Sequence, residues 1–64
     1  MTGDRFLRLP EVIARTGLSR RTIYRKMNGG EFPHSEKLGA NSVAWRESDI
    51  AAWMTAPANW SAAA

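Results

Sequence analysis

Cysteine is absent from this 64-residue chain, which removes disulfides and every thiolate metal site. Histidine occurs once, at His34, and a lone imidazole cannot assemble a protein metal site of ordinary type. No carboxylate pair accompanies it at a spacing suited to acid–base work, so no catalytic residue is assigned and no enzyme is expected. The paired glycines Gly29-Gly30 follow a helix-forming stretch instead of opening one, which argues against a phosphate-cradling loop. No cofactor, metal or small-molecule ligand is therefore expected. No long apolar run is present either, so neither a signal peptide nor a membrane span is expected, and a cytoplasmic setting fits the lack of cysteine. The most telling absence is local. Between residues 16 and 28 there is no acidic side chain at all.

What is present is basic and small. Nine Lys and Arg against six Asp and Glu leave a net charge of +3 and a pI near 10.2, a balance that favours an anionic partner. Below about 70–80 residues one core rarely supplies more than about 3–5 kcal/mol, so this is one marginal domain. Its three tryptophans are expected mostly in the core.

The acid-free stretch reads as a turn feeding a cationic helix. Gly17 suits the left-handed position just past a preceding helix, and Ser19 is a good N-cap. At about 100° per residue, Ile23, Tyr24 and Met27 fall on one side of a helix over residues 19–28. Arg21, Thr22 and Arg25 fall on the other, flanked by Lys26 and, at the N-terminal end, Arg20. Solvated helix faces usually mix signs, because opposite charges four apart stabilise a helix. Arg20 and Arg21 also stand in the first turn, where the helix dipole disfavours cations. An external anion accounts for both features.

Upstream, residues 5–9 are expected to run extended, and Pro10-Glu11 starts a helix to Thr16. Leu9, Val12, Ile13 and Thr16 share its inner face, and Glu11 and Arg15 pair on its outer face. Val12 and Ile13 pack on Ile23 and Met27, with Leu18 closing the corner. Two short helices joined by a glycine-containing turn form a helix-turn-helix, with the cations on the second helix, where a recognition surface belongs.

After Gly29-Gly30, Phe32 should turn inward. Residues 35–38 and 42–46 read as strands around Gly39-Ala40-Asn41, with Val43 and Trp45 on one face opposite Ala44 and Arg46. Such a hairpin is not stable alone, so Trp45 must pack on the helices and the hairpin forms a wing. Ser48 is the expected N-cap of a last helix whose Ile50, Trp53 and Met54 face the core, and Pro57 ends it. Trp60 either folds back or meets a second molecule, with folding back preferred. The expected organisation is a flexible arm over residues 1–7, a domain over 8–55 and a flexible tail over 56–64.

Arg8-Leu9-Pro10-Glu11-Val12, Thr16-Gly17-Leu18-Ser19-Arg20-Arg21-Thr22-Ile23-Tyr24, Phe32-Pro33, Lys37-Leu38-Gly39 and Ser42-Val43-Ala44-Trp45-Arg46-Glu47-Ser48-Asp49-Ile50, ahead of Trp53, resemble the AlpA family of phage and prophage regulators. The resemblance implies a small, mainly helical α+β fold: a winged helix-turn-helix with three short helices and a two-stranded wing. It implies a bacterial or phage-infected cell, and a role as transcriptional activator of excision genes or as excisionase (recombination directionality factor).

The partner expected from both lines is double-stranded DNA, with integrase or further copies of the chain on tandem sites as additional partners. Ser19, Arg20, Arg21, Thr22, Tyr24, Arg25 and Lys26 are the recognition-helix candidates. Arg21, Thr22 and Arg25 are assigned to the major groove, and Arg20, Lys26 and Arg46 to phosphates. Lys37, Asn41 and Ser42 are assigned to the wing contact. The competing expectation is a protein-binding module that turns the same basic helix toward an acidic partner.

Overall fold

A computed structural model describes residues 4–60. Along them run β1 (Phe6–Leu7), α1 (Leu9–Thr16), α2 (Arg20–Asn28), β2 (Glu36–Gly39), β3 (Ser42–Arg46) and α3 (Glu47–Thr55), then a 3-10 turn over Pro57–Asn59. The outermost parts of the expected flexible arm and tail, residues 1–3 and 61–64, lie outside the described residues. The fold is a small, mainly helical α+β unit with the elements of a winged helix-turn-helix.

The helix-turn-helix corner forms as its residues dictate. Gly17 takes the left-handed conformation, φ 76°, and its N–H donates to the Ile13 carbonyl, a geometry a side chain at this position would strain. Thr16 Oγ1 donates to the Val12 carbonyl at 2.8 Å and accepts from Leu18 N–H at 3.2 Å. Ser19 caps α2, its hydroxyl accepting from Thr22 N–H at 3.2 Å. Val12 of α1 and Ile23 of α2 are fully buried in the common core, and Ile13, Leu18 and Met27 pack against that core. Glu11 and Arg15 do not pair with each other. Glu11 meets Arg5 at 2.7 Å and Arg15 meets Glu47 at 2.9 Å, partners that lie on other segments.

The sheet has three strands, in the order β1-β3-β2, and not the two of a bare wing. Phe6 and Leu7, predicted as part of an arm, pair antiparallel with Arg46 and Trp45, and Leu7 is fully buried. Complete burial of a leucine contributes about 1.5–3 kcal/mol, a large share of what so small a domain has. Residues directly opposite in an antiparallel pair point to the same face, so Leu7, Trp45, Val43 and Lys37 share one face. Phe6, Arg46, Ala44 and Glu36 share the other. Ala44, predicted to face outward, is nonetheless fully buried. Its methyl is the smallest group on a face where Glu36, directly opposite, bonds Arg46, two residues on, at 2.7 Å.

Phe32, Trp45 and Trp53 centre the core. Trp53 meets Phe32 edge-on, with centroids 4.9 Å apart, and Trp45 meets Tyr24 edge-on at 6.4 Å. Trp45 Nε1 donates to the Pro33 carbonyl at 3.0 Å and Trp53 Nε1 to the Glu31 carbonyl at 2.9 Å. Trp60 is half-buried against the same cluster. Met54, predicted inward, is 46% exposed. The buried stripe of α3 lies between Ile50 and Trp53, and Met54 stands about 100° round from Trp53.

The start of α3 also differs from expectation. Ser48 lies inside the helix, and the N-cap position is Arg46, whose side chain makes no cap bond. The cap comes from Asp4, 44 residues away: its carboxylate accepts from Ser48 N–H and from the Ser48 hydroxyl, each at 3.0 Å. These bonds, led by the one from the Ser48 amide, hold the Asp4 carboxyl below its ordinary value of 3.8.

Two outcomes are expected from denaturation of variants. Trp45→Phe strands the Pro33 carbonyl in the interior, and an unsatisfied buried acceptor costs about 1–3 kcal/mol, read as a lower urea midpoint. A carboxylate with a depressed folded pKa contributes stability present above its unfolded value and lost as the pH falls through the folded one. Asp4→Asn should therefore lower Tm at neutral pH, with the gap from wild type closing as the pH drops below 3.8. A gap constant through that range would contradict the cap.

Candidate nucleic-acid interface

The charged side chains divide the molecule. Arg5 bridges Glu11 and Glu47, Arg15 meets Glu47, and Arg46 meets Glu36 and Asp4, all within 4.0 Å. These pairs tie the N-terminal segment to α1, to β3 and to the start of α3. On α2 only Lys26 has a carboxylate near, Glu31 at 4.0 Å. Among the described residues Arg20, Arg21 and Arg25 have no ion pair, and the first turn of α2 holds no acid. Each cation there opposes the helix dipole by about 0.3–1 kcal/mol, with no acid in that turn to compensate it.

The predicted recognition residues fall into three groups. Arg20, Arg21 and Arg25 are exposed. Ser19 and Thr22 are engaged with each other: the Ser19 hydroxyl also donates to Thr22 Oγ1 at 3.0 Å, and Thr22 is half-buried. Ser19 therefore serves the helix start. Tyr24 is half-buried against Trp45, and the Arg20 guanidinium lies over its ring, 5.8 Å from the centroid. Tyr24 thus stands between the core and the cationic surface.

On the wing, Lys37 and Asn41 are exposed and Ser42 is half-buried. Lys37 has no ion pair among the described residues, and the strand register puts it on the same sheet face as Val43 and Trp45, the face that Tyr24 of α2 packs against. Arg46, expected at phosphates, has carboxylate partners within the domain. Its register places it on the opposite face, where it bonds Glu36 at 2.7 Å, meets Asp4 at 3.6 Å and stacks 5.1 Å over Phe6. The bond to Glu36 raises its pKa above the ordinary arginine value. Sequence parity alone put Arg46 on the outer face; its carboxylate partners, 10 and 42 residues away, could not be inferred from local spacing.

One exposed residue escaped the sequence assignment. Asn28 follows Arg21 at i+7 and Arg25 at i+3, about 20° from the first and about 60° from the second around the helix axis, and it is exposed with no side-chain partner among the described residues. The spacing was the available signal, masked by the adjacent glycines that end the helix.

Elsewhere among the described residues, no group of three His, Cys, Asp or Glu is placed to hold a metal ion. No described helix is long and apolar enough to cross a membrane.

Comparison with known proteins agrees with the residue pattern. A protein of Enterobacteria phage P4, described as uncharacterized protein ORF88, is 52% identical over 54 residues, which cover 84% of this chain and 61% of that protein. The chain thus spans less than two thirds of that relative. The DNA-binding transcriptional activator AlpA of Escherichia coli K12 is 42% identical over 57 residues, covering 80% of this chain and 81% of that protein. No solved structure matches. The sequence pattern of the prophage CP4-57 regulatory protein (AlpA) matches residues 5–57, β1 and α3 included, and the chain belongs to the AlpA family of prophage regulatory proteins.

Proposed function

We propose that this chain is a sequence-specific binder of double-stranded DNA that regulates a mobile element. One observation carries the proposal: three arginines of α2 stand exposed with no carboxylate partner among the described residues, while Arg5, Arg15 and Arg46 elsewhere in the domain all have one. In this reading α2 enters the major groove. Arg21 and Arg25 reach base edges, where an arginine can bond two acceptors of guanine and one good pair discriminates by about 1–3 kcal/mol. Thr22, half-buried and bonded to Ser19, flanks them at the edge of the groove. Arg20 and Lys26 hold phosphates, and Lys37, Asn41 and Ser42 bring the wing to the neighbouring backbone. Arg46 is assigned to the fold and not to the DNA.

The name of the E. coli relative supports binding at a promoter that leads to activation. Direct action on recombination is the competing use, in which copies on tandem sites in an attachment region favour excision by integrase. With purified integrase and attachment-site DNA, promoter use predicts no dependence of excision on this protein when transcription is absent. Dependence under those conditions would assign it as an excisionase.

DNA binding itself is tested on a duplex selected from a random-sequence pool. Arg21→Ala should flatten the preference at one base pair, while Lys37→Ala should weaken all sequences alike and reduce the salt slope by about one. A binding constant indifferent to salt would contradict the scheme, because each neutralised phosphate releases counterions. Tight binding to an acidic protein with no affinity for any duplex would favour the protein-binding alternative.

A further inference from the structure

Tyr24 is the one recognition-helix residue that touches both the core and a cation. Its ring meets Trp45 edge-on with centroids 6.4 Å apart and an interplanar angle of 64°. The Arg20 guanidinium lies over the same ring at 5.8 Å, within the roughly 6 Å over which a ring quadrupole attracts a cation. Trp45 is itself immobilised, fully buried and hydrogen-bonded to the Pro33 carbonyl. A stack therefore runs from strand β3, through Tyr24, to the guanidinium of Arg20. Arg21 and Arg25, by contrast, have no aromatic ring, carboxylate or hydrogen-bond acceptor holding them among the described residues.

We propose that Tyr24 is a positioning residue that presets Arg20 for an anion, and that Trp45 makes this preset depend on the wing strand. The proposal rests on the DNA-binding reading and refines it, moving Tyr24 from the contact surface to the support beneath it. An arginine on the first turn of a helix is disfavoured by the dipole and loses rotamer freedom when it binds. A ring beneath the guanidinium offsets part of both costs before the ligand arrives. Holding one rotamer-rich side chain in advance is worth roughly two- to ten-fold in affinity. The ring contact uses none of the guanidinium hydrogen-bond donors, which stay available to a phosphate.

The test is a double-mutant cycle on the random-pool duplex, read by fluorescence anisotropy, together with ¹⁵N relaxation of arginine Nε in the free protein. Arg20→Ala should weaken binding several-fold in the wild-type background and by less than half that factor in Tyr24→Leu. Tyr24→Phe keeps the ring and should restore the full effect of Arg20→Ala, which guards against poor folding of the leucine variant. In the free protein Arg20 Nε should be more ordered than Arg21 Nε, and Tyr24→Leu should remove the difference. Additive effects in the cycle, or equal Arg20 and Arg21 mobility in wild type, would overturn the proposal and leave the DNA-binding reading standing. A wild-type protein that selects no duplex would overturn both.

Discussion

Two indole N–H groups hold the segment that joins the recognition helix to the wing. Residues 31–33 follow α2 with no regular structure, yet Phe32 and Pro33 are buried there. Buried irregular backbone leaves carbonyls without ladder partners, each costly unless satisfied. Trp53 of α3 supplies the donor for Glu31 and Trp45 of β3 the donor for Pro33. Phe32 is buried beside Trp53. With those bonds in place α2, β3 and α3 are joined through one short stretch, and the angle at which α2 meets the sheet is set. A 64-residue chain without cysteine has no disulfide to do so.

The N-terminal segment completes the same unit from the opposite side. Leu7 adds its side chain to the core, the Arg5 carbonyl accepts from Glu47 N–H at 2.8 Å, and Asp4 caps α3. Arg5, Arg15 and Arg46 then gather the carboxylates Asp4, Glu11, Glu36 and Glu47 around this junction. Exposed ion pairs of this kind contribute little stability one by one. Their larger consequence is placement. Most of the acids are engaged far along the chain from α2, so the arginines of that helix have no ion pair among the described residues, as the DNA-binding proposal requires. Electrostatic attraction of that kind raises association rate and orients the encounter, while base contacts in the groove set specificity.

Membership of the AlpA family fits this division of labour. The matched span, residues 5–57, begins at Arg5 and so includes β1 and the junction it makes with α3. The conformational demands of the turn and the packing demands of the core account for much of the pattern: Gly17 at positive φ, Ser19 as cap, Phe32 and Trp45 buried. Arg21 and Arg25 of α2 meet no such demand among the described residues, which is the feature the DNA-binding proposal draws on.

Local rules were enough to read much of the chain. Gly17 and Ser19 mark the corner because only certain residues take a left-handed turn or accept from a helix's first amides. The spacing of Val12, Ile13, Ile23 and Met27 shows which helix faces meet, since the helical period is fixed. The lack of acids from residue 16 to 28 marks the cationic surface because charge pairing on a helix is itself local. Tertiary structure alone decided the rest. That Phe6 and Leu7 form a strand, that Asp4 caps a helix beginning at Glu47, that Arg46 pairs with Glu36 and Asp4, and that Met54 faces solvent all depend on which distant segments become neighbours. No period or propensity encodes that adjacency. It emerges only when the core closes, and the closing brings residues 4 and 48 within hydrogen-bonding distance.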